Sequence, residues 1–222
     1  MLKRPKARFY GINKKIRTAH TGEISSKSFK IGRGQQGAVD SLTILKGNHS
    51  VTLAEKTYFT RTQRPMYLTS ASQDFKRLKR LQEFLPKKLF LPTIRLKVEK
   101  GKKPTLVMTL LGLKRKDTHA IPVIEWNSIW ERHQLDPSQI HKLTPEVKAV
   151  LNEIFKKVEN WDELQHELIA ARSIAQKNNC WLPLESFFVE VNSKTKKGRL
   201  YIVDVGLVQF FSKQRVPKEW YE

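Results

Sequence analysis

The chain has 222 residues, 39% of them hydrophobic and 9% aromatic, which suits one sizeable core or two small lobes. Its 42 lysines and arginines against 21 acids give a formal charge of +21, so an acidic partner is expected: nucleic acid, an anionic membrane surface, an acidic protein or a polyphosphate. No apolar run approaches the roughly 20 residues of a membrane span, the N-terminus lacks the apolar stretch of a secretory signal, and the lone Cys180 excludes an internal disulfide and a paired-cysteine zinc site.

Residues 1–27 carry Lys3, Arg4, Lys6, Arg8, Lys14, Lys15 and Arg17 and read as a basic N-terminal arm, a place for an acidic partner protein or a membrane surface. From 28 to 45 two strand-like runs flank Gly32, Gly34 and Gly37, with Val39 two residues past the last glycine. A third strand, Val51 to Phe59, follows the turn signal at 46–50 and completes a meander. Ser70 is a helix N-cap with Gln73 three residues on, and Phe75, Leu78, Leu81 and Leu85 recur at helical spacing before Pro86 stops the helix. On that helix Asp74 lies on the apolar side, whereas Glu83 falls roughly opposite.

A hairpin follows from Thr93 to Gly112, turning at Gly101-Lys102-Lys103. The segment from about 113 to 140 has no clear period. Thr144-Pro145 opens a second helix whose stripe is Val147, Val150, Leu151, Ile154, Phe155 and Val158. A third helix starts near Asn160 and carries Leu164, Leu168, Ala171 and Ala175. Last, two apolar runs flank the turn at 192–198 and form another hairpin, ending in Asp204-Val205-Gly206. Basic residues cluster again at Lys76, Arg77, Lys79 and Arg80, and at Lys194, Lys196, Lys197 and Arg199.

Each candidate motif has a plain structural reading. A Gly-x-Gly-x-x-Gly loop between strands is a flexible hairpin turn as readily as a phosphate cradle. Asp74 is a first-turn acid suited to the helix dipole, Asp204 a turn-capping aspartate, and an acid such as Glu185 before a strand is ordinarily solvated. The six histidines, at 20, 49, 119, 133, 141 and 166, show no metal spacing.

Taken in order, Gly32-x-Gly34-x-x-Gly37-x-Val39, Leu53-Ala54-Glu55-Lys56 and Leu200-Tyr-Ile-Val-Asp204-Val205-Gly206 resemble the glycine-rich loop, the strand-three lysine and the metal-binding Asp-Phe-Gly motif of protein kinases. The resemblance spans roughly 28–211 and implies an α+β, two-lobed minimal kinase-like fold, with an antiparallel-sheet N-lobe over 28–112 and a truncated helical C-lobe over 113–222. It implies ATP and Mg2+ as cofactors. Gly32, Gly34, Gly37 and Val39 would cover the nucleotide, Lys56 would hold its phosphates with Asp74 as the helix carboxylate, and Asp204 would hold the metal. Glu190, on the strand face of Phe188, is a second metal candidate.

The loop before the last hairpin departs from the kinase pattern. Setting Ser186 against the metal-binding asparagine puts Trp181 where the catalytic aspartate belongs, and tryptophan takes no proton. Glu185 would supply the carboxylate from a shortened loop. That loop, and the 18 residues that follow Asp204, resemble minimal bacterial effector kinases of the HopBF type. The resemblance implies transfer of the ATP γ-phosphoryl to a serine or threonine of a host protein, with a heat-shock chaperone as precedent, by an effector or toxin that stays cytoplasmic or enters a host cell without a cleavable signal peptide. Two other readings stand beside it: a pseudokinase serving as a binding module, and a basic nucleic-acid-binding protein without catalysis.

Overall fold

A computed structural model describes residues 6–11, 20–24, 30–33, 37–46, 49–59, 69–112, 118–123 and 158–212. The fold is α+β, mostly antiparallel sheet with two α-helices among the described residues. The chain divides into two units, Met1–Glu83 with Leu91–Leu110, and Phe84–Phe90 with Leu111–Glu222.

In the first unit, β1 (Lys6–Gly11), β2 (His20–Ile24), β3 (Lys30–Arg33), β4 (Gly37–Lys46), β5 (His49–Tyr58), β6 (Ile94–Val98) and β7 (Thr105–Thr109) form one antiparallel sheet in the order β2-β1-β6-β7-β5-β4-β3. The free edge of β2 also pairs with β4, Glu23 against Leu45 and Ile24 against Ile44, so β2, β1, β6, β7, β5 and β4 close into a ring. Closure satisfies backbone groups that an edge strand would leave open. Phe9, Leu42, Leu53 and Val107 fill the floor of this barrel, with Ile44 packed against them.

The opposite sheet face takes α1 (Ala71–Leu81). Ser70 caps it, its hydroxyl accepting from the Gln73 N–H at 3.3 Å, and Leu78 and Leu81 are fully buried. Burial of each leucine contributes about 2 kcal/mol, so the amphipathic stripe holds the helix to the sheet.

Residues 6–11 and 20–24, read from their charge as part of an arm, are strands of this barrel. Alternation along β1 explains it: Phe9, between Arg8 and Tyr10, faces inward at 1% exposure. The unit therefore starts earlier than residue 28, and residues 84–90 belong with the second unit. The meander over β3, β4 and β5 and the hairpin of β6 and β7 form as their patterns predict.

In the second unit, α2 (Trp161–Lys177) packs on a three-stranded sheet of β8 (Thr118–Pro122), β10 (Phe187–Asn192) and β11 (Lys197–Ile202). Strand β8 lies in the stretch without a clear sequence period. Gly198 is where helix and hairpin meet: a Cβ there would come within 2.6 Å of Leu164 Cδ1. Asn160 brackets the same glycine, accepting from its N–H at 2.8 Å and donating to its carbonyl at 3.0 Å. A separate pairing joins β9 (Cys180–Trp181) to β12 (Gln209–Phe210). The helix expected from Thr144 lies outside the described residues, apart from Val158.

Candidate functional site

In the first unit, Lys56 and Asp74 come together. Period 2 along β5 turns Lys56 away from the barrel interior, to the face that α1 covers, where it is 7% exposed. Its cross-strand neighbours are Val39 on β4 and Leu106 on β7. Asp74, in the first turn of α1, is 1% exposed and places Oδ2 3.7 Å from Lys56 Nζ.

That carboxylate is ringed by donors. Tyr58 OH donates to Oδ2 at 2.7 Å. Thr69 Oγ1 donates to Oδ1 at 2.7 Å, and Arg77 Nη1 donates to the same oxygen at 3.0 Å and to Thr69 Oγ1 at 2.8 Å. Lys56 Nζ also stands 5.1 Å from the centre of the Tyr58 ring. A buried carboxylate survives desolvation only with partners of this kind, and here cations and hydroxyls surround it.

Tyr58, Thr69 and Arg77 are the residues that the sequence reading missed. Two of them carried a signal. Tyr58 is two strand residues past Lys56 and therefore shares its face, and Arg77 is three helix residues past Asp74.

Of the glycine loop, the described part is β3, with the backbone of Gly32 opposite Val39, and Gly37 at the start of β4. Gly34 lies outside the described residues. Gly37 has its own packing reason: a Cβ there would lie 1.9 Å from the Thr57 carbonyl oxygen. The close approach of β4 to β5 thus demands glycine irrespective of any ligand.

In the second unit, the β10–β11 ladder ends with Phe187 opposite Ile202, and one further bond, from Val203 N–H to the Ser186 carbonyl at 2.8 Å, carries the pairing on. Glu185 and Asp204 therefore emerge at the same end of the hairpin. Glu185 is exposed, in a one-turn 3-10 helix over Leu184–Ser186. Asp204 Oδ1 accepts from the Gly206 N–H at 3.1 Å, the bond of a turn-capping aspartate. Strand β9 runs into residues 182–186 and β12 leaves the Asp-x-Gly turn, and Trp181 opposite Gln209 clips both segments together. Trp181 thus sits in a strand, ahead of the loop.

Glu190 is not brought to Asp204. It pairs with Arg199, five residues before Asp204 or about 16 Å of extended chain, and Glu190 Oε1 accepts from the Gly112 N–H at 3.4 Å. The donor types at the hairpin end do suit a hard cation, which takes oxygen ligands: two carboxylates, and the Ser186 hydroxyl, which is buried without a hydrogen-bond partner. Among the described residues no group of three or more His, Cys, Asp or Glu side chains is gathered for a metal.

No protein-family model matches this chain, and no curated protein matches it. No described helix is long and apolar enough to cross a membrane.

Proposed function

We propose that the chain is a minimal kinase-like phosphotransferase, moving the γ-phosphoryl of Mg-ATP to a serine or threonine hydroxyl of a protein. The observation that carries the reading is Lys56: a lysine buried on the strand after a glycine hairpin, facing a carboxylate from the helix that packs on that strand. A fixed cation held in that way is what phosphate orientation requires. Val39 flanks it in register, suiting the apolar surface that a base needs.

In this reading Gly32 to Gly37 lie over the phosphates, and Lys56 orients them while Asp74, Tyr58 and Arg77 hold the site in one geometry. Asp204 would hold Mg2+, which when bound neutralises phosphate charge. Glu185 accepts the proton of the attacking hydroxyl; it is the acid in the loop 182–186. The same resemblance makes the protein an effector or toxin whose substrate is a host protein, a chaperone among the candidates.

Labelled γ-phosphate from Mg-ATP offered to proteins of a eukaryotic lysate tests the proposal. Bands made by wild type and lost in both Lys56→Ala and Asp204→Ala are expected. Wild type without transfer, or full transfer by Asp204→Ala, overturns it.

A second reading has its own observation. Lys194, Lys196, Lys197 and Arg199 are all exposed on the β10–β11 hairpin, and Lys76, Lys79 and Arg80 on the outer side of α1. Such surfaces fit a phosphate backbone, and a basic nucleic-acid-binding protein without catalysis would need no general base.

A further inference from the structure

The mouth of the barrel holds polar groups that the Lys56 cluster does not use. Adjacent residues of β5 project to opposite sheet faces, so Glu55 and Thr57 point to the barrel interior, away from Lys56. Thr105 and Lys97 join them there, Lys97 lying opposite Phe9 of the apolar floor. The interior of so small a barrel is ordinarily packed with side chains. Here it opens instead into a cleft of about 250 Å³, lined also by Glu99, Lys102 and Lys103 from the turn after β6.

The cleft's own acids are committed. Lys97, 7% exposed, reaches Glu55 and Glu99 at 2.7 Å each. Thr105 Oγ1 donates to Glu55 at 2.5 Å, and Lys102 pairs with Glu99 at 2.8 Å. Three lysines against two glutamates leave Lys103 as the surplus cation, so an entering group meets positive charge. The Thr57 hydroxyl donates to the Ala38 carbonyl at 3.3 Å. Like Thr105, it has spent its proton and presents lone pairs, which call for a donor on the ligand. Gathering Lys97, Glu55 and Glu99 with little exposure costs desolvation that an apolar filling would avoid, and barrel mouths are recurrent ligand sites.

We propose that this mouth binds a small hydroxylated oxyanion, a phosphorylated or carboxylated polyol, with its acid group on Lys103 and its hydroxyls donating to Thr57 and Thr105. The cleft is smaller than the roughly 300 Å³ at which drug-sized ligands begin, so the ligand is small. This site is independent of the kinase reading, since none of its residues belongs to the Lys56 cluster.

Glycerol 3-phosphate is a probe of that chemistry, with glycerol and inorganic phosphate as comparisons. Calorimetric titration of the full chain should show saturable binding of glycerol 3-phosphate below about 10 mM. Lys103→Ala should weaken it about tenfold, the loss of one charged hydrogen bond. Thr57→Val should weaken glycerol 3-phosphate while leaving inorganic phosphate unchanged. Lys79→Ala, which removes an exposed cation of α1, should change neither. No saturation, or equal losses in Lys103→Ala and Lys79→Ala, would show general attraction to a basic protein and sink the proposal. Binding indifferent to Thr57→Val would overturn the assignment of a hydroxylated ligand.

Discussion

Glu99 shows at the residue scale how this basic chain uses its few acids. Burial pushes its carboxyl up, and the hydrogen bonds and charges of Lys102 and Lys97 outweigh that effect, so the group ends below its ordinary value of 4.5. A carboxyl with a depressed folded-state value stabilises the fold above the unfolded value, and that contribution is lost as pH falls through the folded one. Glu99→Gln should therefore lower stability at neutral pH by about 1 kcal/mol or less, since solvent screens the exposed Lys102. Urea midpoints across a pH series should show the gap to wild type narrowing from about 4.5 downward. A gap that persists at the lowest pH would mean that glutamine disrupts packing instead. The Lys56–Asp74 pair was legible because both positions follow from simple periods, two along a strand and 3.6 along a helix. Thr69 was not legible, because it reaches Asp74 from the residue before the helix cap, where no period applies. Period 2 puts Glu190 on the face of Phe188 but says nothing of distance along the strand, and its partner Arg199 lies five residues before Asp204.

At the scale of elements, caps and turns carried most of the readable signal. Ser70, the Gly101 turn and the break at 192–198 each mark an end that the structure keeps. The barrel closure was hidden, since β1 announces itself by charge and β2 is a short polar run, while their pairing with β6 and β4 is set by partners far along the chain. The β10–β11 turn also holds a local cost. Lys196 adopts φ +52°, a left-handed conformation that disfavours any residue with a Cβ by about 1 kcal/mol. Asn192 Oδ1 fixes the turn by accepting from the N–H groups of Lys194 and Thr195 at 2.9 and 3.1 Å. Lys196 gains little in return from Glu159, 3.9 Å away in an exposed pair. Lys196→Gly should accordingly raise stability by about 0.5–1 kcal/mol, with Lys196→Ala near neutral. Matched denaturation curves of the two variants separate backbone strain from loss of the side chain; equal effects would remove strain as the cause.

For the whole molecule, the charge of +21 and the motif residues make separable demands. Attraction to nucleic acid through Lys194, Lys196 and Lys197, if the second reading holds, would depend on counterion release and fall steeply with salt. The proposed phosphoryl transfer would depend on Lys56 and Asp204, and neither belongs to that basic turn. Binding of a short single-stranded RNA, followed by fluorescence anisotropy over a salt series, should thus keep its slope in Asp204→Ala. Replacing the three turn lysines by alanine should reduce the slope by about 2, at roughly 0.7 per phosphate contact. An unchanged slope would mean that RNA binds elsewhere on the surface, with the hairpin a solvated face. Transfer lost in Asp204→Ala with RNA affinity intact assigns the motifs to chemistry and the charge to attraction; RNA affinity lost with Asp204 would join them in one site and favour the nucleic-acid reading.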